Sequence, residues 1–120
     1  MLKQRLNSFR YAFEGLFDLV KSQPNAKIHL FATTVVIIAG FYFSISPTEW
    51  MLVTLAIVGV LSAEAFNTAL EYLTDLVSPD YHLLAKKTKD VAAAGVLIMA
   101  FGAIIIGLII FLPRILALIP

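Results

Sequence analysis

Cysteine is absent from the 120 residues, and charged residues make up only 14% of them. Without cysteine the chain has no disulfides, no thiolate metal ligands and no cysteine nucleophile. The net charge is only +1, so the overall charge does not indicate a nucleic-acid partner. A glycine-rich phosphate loop of the Walker or protein-kinase type is also missing, which excludes the common soluble designs for binding ATP.

Hydrophobic residues are abundant instead. They make up 60% of the chain, and the mean hydropathy is +0.90, whereas soluble domains have about 45–50% apolar residues. Crossing the hydrocarbon of a bilayer takes about 20 apolar residues in a helix. We therefore predict an all-α membrane protein, a single domain over residues 1–120, with transmembrane helices at 28–46, 50–77 and 88–112.

Residues 2–21 have a different pattern, which predicts an amphipathic helix lying at the membrane surface. Its hydrophobic residues recur at helical spacing, at Leu6, Phe9, Phe13, Leu16, Phe17 and Val20. Charged and polar residues fill much of the remainder. The alternative is a solvent-facing helix packed against a partner.

The basic residues predict the orientation. Five precede the first span and three lie between the second and third, so eight of the nine Lys and Arg residues fall on one side of a three-span topology. By the positive-inside rule, the N-terminus and the second loop are in the cytoplasm.

Local signals mark the ends of the spans. Ser46-Pro47-Thr48-Glu49 predicts a capping box at the start of the second span. Ser78 and Pro79 end that span, and we expect the next helix to begin near Asp80. The third span is rich in alanine and glycine, which we interpret as close packing in a helix bundle.

Four polar residues lie within the apolar second span: Glu64, Asn67, Glu71 and Asp75. At 100° per residue they fall within a sector of about 80°, and we call them the polar stripe. A carboxylate is unfavourable in hydrocarbon, so ionisable residues there usually mark a functional site. The alternative is a structural role, in which the carboxylates pair with Lys86, Lys87 or Lys89.

This stripe suits one type of chemistry. Mg²⁺ binds to one or two carboxylates together with substrate phosphates, and Lys89 provides a positive charge for a polyphosphate. Glu64 is the deepest carboxylate, where it can act as a general base on a lipid hydroxyl. Together these groups indicate phosphoryl transfer from a nucleotide to a lipid alcohol.

Four segments resemble the small bacterial membrane lipid kinases, which comprise diacylglycerol kinase and undecaprenol kinase. They read N-S-F-R-Y-A-F-E-G-L (7–16), E-A-F-N-T-A-L-E-Y-L-T-D (64–75), S-P-D-Y-H (78–82) and A-K-K-T-K-D-V-A-A-A-G-V-L (85–97). The combination E-x2-N-x3-E with a following K-D is the specific part. The resemblance covers nearly the whole chain.

The resemblance implies a homotrimer in the bacterial inner membrane, with MgATP bound in active sites shared between neighbouring subunits. It implies that Glu64 is the catalytic carboxylate, that Asn67 supports it and that Glu71 binds the metal. The residues implied in nucleotide binding are Tyr11, Glu71, Asp80, Tyr81, His82, Lys89 and Asp90.

His29 departs from the family pattern. In the diacylglycerol kinase branch a second metal-binding glutamate stands at this position, and the segment N-A-K-I-H-L is closer to the undecaprenol kinase branch. Undecaprenol is therefore the favoured acceptor and diacylglycerol the second. His29 as a metal ligand and His29 as an interface residue both remain open, and Glu14 is a further candidate for the missing carboxylate.

Two other functions compete with a lipid kinase. A small ion-coupled transporter also buries a glutamate, but its polar groups should continue toward both membrane surfaces. Here the outer half of the second span, residues 51–61, is nearly all apolar. A non-catalytic membrane scaffold explains the small residues of the third span but not a buried Glu64.

Overall fold

The computed structural model covers all 120 residues, and its regular elements are four α-helices. They are α1 (Leu2–Ser22), α2 (Pro24–Tyr42), α3 (Pro47–Val77) and α4 (Leu83–Leu116). The last three are long and apolar enough to cross a membrane. The prediction of an all-helical chain with three candidate spans is therefore confirmed.

Proline residues and polar caps determine where these helices begin. Gln23 is extended, and Pro24 occupies the first turn of α2, where its missing N–H does no harm. At α4 the expected start near Asp80 is wrong, because His82 is the N-cap and the helix begins at Leu83. The His82 Nδ1 accepts a hydrogen bond of 3.1 Å from the Leu84 N–H, which satisfies one of the free donors at the helix end.

The outer end of α3 has the predicted capping box. The Glu49 N–H donates to Ser46 Oγ over 3.1 Å, and the Ser46 N–H donates to Glu49 Oε1 over 2.9 Å. Arg114 of α4 then binds both carboxylate oxygens of Glu49, each over 2.8 Å. Beside this ion pair lies the largest apolar core of the chain, formed by the buried residues Ile45, Val53, Ile110 and Phe111.

The three long helices do not pack equally. α3 and α4 form a long antiparallel hairpin, in which Met99 lies directly against Gly59. α2 packs on α3, where the Trp50 ring fills the space that a side chain at Gly40 would take. α2 and α4 approach each other mainly at the outer end, where the Phe43 and Phe111 rings are 6.3 Å apart.

The glycines of α4 make no close contact with another helix of the same chain. A side chain at Gly95, Gly102 or Gly107 would meet no other atom within 4 Å. These residues therefore do not bring helices close together within one chain, and their packing against helices of another subunit stays a prediction. The close helix contacts are made at Gly40 and Gly59 instead.

α1 is attached to the rest of the molecule near its C-terminal end. Leu19 is its one buried residue. The Tyr72 hydroxyl of α3 donates to Asp18 over 2.7 Å and also lies 3.2 Å from the Ser22 hydroxyl. Most of the large apolar side chains of α1, such as Phe9, Phe13 and Phe17, are exposed in the single chain.

Candidate active site

The polar stripe occupies the inner half of α3 and changes from buried to exposed along its length. Glu64 is 1% exposed and Asn67 is 7% exposed. Glu71 is half-buried, and Asp75 is exposed. Asp75 lies 11 positions after Glu64, which corresponds to a rise of about 16 Å along the helix axis. The stripe therefore connects the interior of the membrane-spanning part to its surface.

The buried end of the stripe contains polar atoms without partners. Glu64 Oε2 and Asn67 Oδ1 are both shielded from solvent and accept no hydrogen bond. Buried polar atoms in folded proteins are nearly always hydrogen-bonded, because leaving one unpaired is unfavourable. Two such atoms one turn apart are typical of a site that binds a further group.

His29 is the titratable residue that lies beside the Glu64 carboxylate. Its Nε2 lies 3.7 Å from Glu64 Oε2, and its side chain is 22% exposed. The first turns of α2 bring it there, because α2 runs antiparallel to α3 and places His29 at the level of Glu64. The sequence singled out both residues, but nothing in their spacing indicated that they meet.

Glu71 is the carboxylate that best fits a metal ion. It accepts one hydrogen bond, of 3.3 Å, from the Asn67 side-chain amide. No three His, Asp or Glu side chains come together in the chain, so it has no complete protein cage. Mg²⁺ does not require one, since one or two carboxylates, phosphate oxygens and waters complete its shell. The residues present fit a metal ion that arrives with a phosphate substrate.

The lysines of α4 pair with only part of the stripe. Lys89 forms an ion pair with Asp75, and Lys86 forms one with Asp90 over 2.6 Å. The structural alternative, in which the stripe carboxylates are neutralised by lysines, therefore holds for Asp75 alone. Neither Glu64 nor Glu71 has a lysine partner.

The other predicted nucleotide residues lie outside the stripe. Asp80, Tyr81 and His82 are in the α3–α4 connection and are exposed. Tyr11 is 57% exposed on α1, with the Arg10 guanidinium 5.2 Å from its ring centroid. Within one chain, no hydrogen bond or ion pair joins these four residues to the stripe.

Glu14, the alternative metal carboxylate, also lies apart from the stripe. It forms an exposed ion pair of 3.3 Å with Arg10, one turn earlier on α1. Such a contact is typical of a solvated helix face.

Sequence reasoning missed two groups near the site. The first is Tyr72 with its partners Asp18 and Ser22, which fix α1 against α3. Tyr72 directly follows Glu71 in the sequence, but no local pattern indicated its partners on α1. The second is Thr68, whose buried hydroxyl has no partner and lines a groove between α1 and α3. Its position four residues after Glu64, one turn along the helix, is the sequence feature that could have indicated it.

Comparison with known proteins identifies the family. Residues 10–111 match the family described as prokaryotic diacylglycerol kinase. An undecaprenol kinase of Bacillus subtilis is 40% identical over 113 residues, covering 94% of this chain and 92% of that protein. The chain belongs to the prokaryotic diacylglycerol kinase family.

Two further relatives carry the other family name. A diacylglycerol kinase of Synechocystis is 40% identical over 114 residues, covering 94% of this chain and 65% of that protein. A diacylglycerol kinase of Haemophilus influenzae is 26% identical over 97 residues, covering 81% of this chain and 82% of that protein. Relatives of both names thus match over most of this chain.

Family membership establishes the class of reaction. The relatives are kinases of lipid alcohols, so this chain is a phosphotransferase with an alcohol acceptor and a multi-pass membrane protein. The resemblance seen in the sequence is confirmed. The transporter alternative receives no support from these comparisons.

Proposed function

We propose that the protein is an ATP-dependent kinase that phosphorylates a lipid alcohol at the cytoplasmic face of the bacterial inner membrane. The observation that carries this proposal is the unpartnered Oε2 of Glu64, 1% exposed, at the membrane-embedded end of the polar stripe. A base at this depth meets a lipid hydroxyl, and the surface end of the same stripe meets a soluble nucleotide.

The proposed reaction is a direct phosphoryl transfer. The acceptor hydroxyl oxygen forms a bond to the γ-phosphorus of ATP, and the bond from that phosphorus to the bridging oxygen breaks, with its electron pair leaving on ADP. Glu64 Oε2 takes the hydroxyl proton. Holding the acceptor oxygen beside a base in a water-poor site lowers the barrier through orientation and general base catalysis.

Asn67 and Glu71 continue the site toward the surface. Asn67 donates to Glu71 over 3.3 Å, which orients the Glu71 carboxylate, while the Asn67 Oδ1 remains available to an incoming hydroxyl. Glu71 would hold Mg²⁺ together with phosphate oxygens, and His29 is a second candidate ligand. A bound Mg²⁺ supplies positive charge that offsets the negative charge of the transferring group.

The nucleotide would bind at the surface end of the stripe. We assign Lys89, Asp90, Asp80, Tyr81, His82 and Tyr11 to this role. Lys89 is already positioned there by Asp75, and releasing this exposed pair costs little, because surface ion pairs contribute only about 0–1 kcal/mol.

We infer that undecaprenol is the acceptor and that diacylglycerol is the second candidate. Two observations support this order. The Bacillus relative named undecaprenol kinase matches over 92% of its length. In addition, the resemblance implies a glutamate in the diacylglycerol kinase branch at the position of His29.

Assembly and orientation are part of the same proposal. We infer a homotrimer with active sites shared between subunits, an N-terminus in the cytoplasm and α1 lying at the membrane surface. The separation of Tyr11 and the 80–82 connection from the stripe within one chain supports sharing of the site. The exposed phenylalanines of α1 support contact with lipid.

The test is transfer of label from γ-labelled ATP with Mg²⁺ to undecaprenol and diacylglycerol, offered side by side in mild detergent with lipid. Wild-type protein should label undecaprenol more strongly, and Glu64→Gln should label neither lipid. Preference for diacylglycerol would reverse the order of acceptors. Label in neither lipid from a folded trimer would contradict the kinase proposal.

A further inference from the structure

The Glu64 carboxylate is paired with one side chain from another helix, His29 of α2. The His29 Nε2 lies 3.7 Å from the Glu64 Oε2, an oxygen that is shielded from solvent and accepts no hydrogen bond. Asn67, the residue expected to support Glu64, donates its side-chain amide to Glu71 instead. His29 is therefore the side chain that is placed to orient the Glu64 carboxylate.

The packing of α2 holds His29 in this position. Ala26 lies three residues earlier on the same face of α2 and is only 1% exposed. Toward the other end of the helix, the Trp50 ring of α3 occupies the space beside Gly40. Because α2 is packed near both ends, the imidazole reaches Glu64 from a fixed helix, and side chains on helices are held more precisely than side chains on loops.

A metal ion bound to His29 would conflict with the role of Glu64 as a base. Imidazole nitrogens bind metal ions at about 2 Å, so an ion on Nε2 would also lie within reach of Oε2, only 3.7 Å away. The carboxylate would then hold the ion and could not take a proton. In addition, Mg²⁺ prefers oxygen ligands, whereas imidazole suits zinc, copper, iron and nickel. Distance and ligand chemistry both argue against His29 as a Mg²⁺ ligand.

We propose that His29 is a positioning residue for Glu64, whose Nε2–H donates to the Glu64 carboxylate when the lipid alcohol is bound. This inference rests on the proposed function and deepens it, and it removes His29 from the candidate metal ligands. In the neutral imidazole the contact requires the proton on Nε2. The distance of 3.7 Å is longer than a hydrogen bond, but catalytic contacts in a free enzyme are often long and shorten in the substrate complex.

One N–H donor orients the base without blocking it. A carboxylate oxygen has two lone pairs, so Oε2 can accept from His29 and still take the proton of the acceptor hydroxyl. In a water-poor site, a carboxylate without a donor is unfavourable and free to rotate. The orienting hydrogen bond therefore acts on the rate of the chemical step, and it should leave the binding of ATP, Mg²⁺ and lipid unchanged.

The test compares two replacements of His29 in the phosphorylation of undecaprenol by ATP. His29→Leu removes the donor, whereas His29→Gln retains a side-chain N–H in nearly the same place. We expect His29→Leu to lower kcat by about tenfold, the effect of losing one orienting hydrogen bond in the transition state, and His29→Gln to stay within about threefold of wild type. The KM values for ATP and undecaprenol, and the Mg²⁺ concentration for half-maximal rate, should not change. Melting curves of both variants check that they are folded.

A double-mutant cycle determines whether His29 acts through Glu64. Glu64→Asp keeps a carboxylate but draws it back from the imidazole by one methylene group. In the Glu64→Asp background, His29→Leu should therefore lower kcat by less than about twofold, compared with about tenfold when Glu64 is present. Such a loss of effect is expected only if the two side chains act together.

A further measurement does not require turnover. The chain has two histidines, His29 and His82, so both can be followed by NMR of protein with isotope-labelled histidine in lipid nanodiscs, and the spectrum of His29→Gln assigns them. We expect Glu64→Gln to shift the ring signals of His29 and to leave those of His82 unchanged. Unchanged His29 signals would contradict the contact with Glu64.

Other kinetic patterns would overturn the inference. A higher Mg²⁺ requirement for His29→Leu with an unchanged kcat would make His29 a metal ligand, and a change confined to the KM for undecaprenol would make it an acceptor contact. Equal losses in His29→Leu and His29→Gln, or an equal effect of His29→Leu in both backgrounds, would leave it a packing residue. Failure of the kinase proposal looks different, since wild-type protein would then phosphorylate no lipid while the histidine spectra still report whether His29 contacts Glu64.

Discussion

The two halves of α3 each carry a partly or fully buried glutamate, but in opposite situations. Glu49 at the outer end is bound by Ser46 and by both terminal guanidinium nitrogens of Arg114, Nη1 and Nη2. Glu64 on the inner half has an oxygen without any hydrogen bond and only His29 near it, at 3.7 Å. One carboxylate is fully satisfied by the fold, and the other is held in place without being satisfied.

This difference separates structure from function. A buried polar group that is fully hydrogen-bonded makes the fold more specific, whereas an unpaired one is unfavourable and is kept where a ligand completes it. We therefore expect the outer glutamate to matter for stability and the inner one for activity. Four substitutions test this contrast.

Glu64→Gln should have the largest effect. Removing a general base lowers kcat by about 10²–10⁴-fold, whereas the thermal unfolding midpoint should stay the same or rise, because a buried charge is replaced by a neutral group of similar shape. The measurement is ATP-dependent lipid phosphorylation beside a melting curve. A variant that retains activity would refute the role of Glu64 as a base.

Glu49→Gln is the matched control at the other end of the same helix and should behave in the opposite way. It weakens the bidentate contact with Arg114 and the capping box, so the unfolding midpoint should fall. The kcat should stay within about twofold of wild type, since the contact is far from the reacting groups. If the folded variant lost activity, Glu49 would also be needed for catalysis, and the expected contrast with Glu64 would be wrong.

Tyr72→Phe tests how α1 is held near the stripe. It removes the 2.7 Å hydrogen bond to Asp18 and the contact with Ser22. Since one hydrogen bond contributes about 1 kcal/mol, we expect a several-fold higher KM for ATP through a less ordered α1, with little change in kcat.

The control for Tyr72→Phe is Tyr42→Phe, an exposed tyrosine at the outer end of α2. It should leave both kinetic constants unchanged. Equal KM values for ATP in the two variants would show that the Tyr72 contacts do not position α1 for nucleotide binding.

Thr68→Val should have the smallest effect, and a stabilising one. Its hydroxyl is buried without a partner on the α1 side of α3, and removing an unsatisfied buried group should stabilise the fold by about 1 kcal/mol. Unfolding measurements and lipid phosphorylation check this together. A drop in activity would instead place Thr68 among the substrate-binding residues.

Much of the fold was predictable because its signals are local. The apolar composition predicted three spans, and Ser46, Pro47 and Glu49 predicted the start of α3 with its capping box. The start of α4 was misplaced. Asp80 is of a residue type preferred at N-caps, but the N-cap in the structure is His82. The glycines of α4 contact no other helix within the chain, and composition does not tell which face of a helix meets a neighbour.

The polar stripe was predictable for a similar reason, since helical periodicity alone places Glu64, Asn67 and Glu71 on one face. The sequence also predicted that Glu64 is the deepest carboxylate, but the extent to which each side chain is covered depends on where α2 and α4 lie. The pairing of Lys89 with Asp75 follows from the register of α3 against α4, which no local pattern contains.

The sequence by itself determined the helical class, the membrane-spanning character, the lipid-kinase family and the positions of the carboxylates in the polar stripe. These depend on composition, periodicity and motif, which are properties of neighbouring residues. Only the tertiary structure decided that His29 faces Glu64 and that Tyr72 ties α1 to α3. These depend on how helices far apart in sequence pack, and packing is decided by the shapes of whole helix faces rather than by any single stretch of chain.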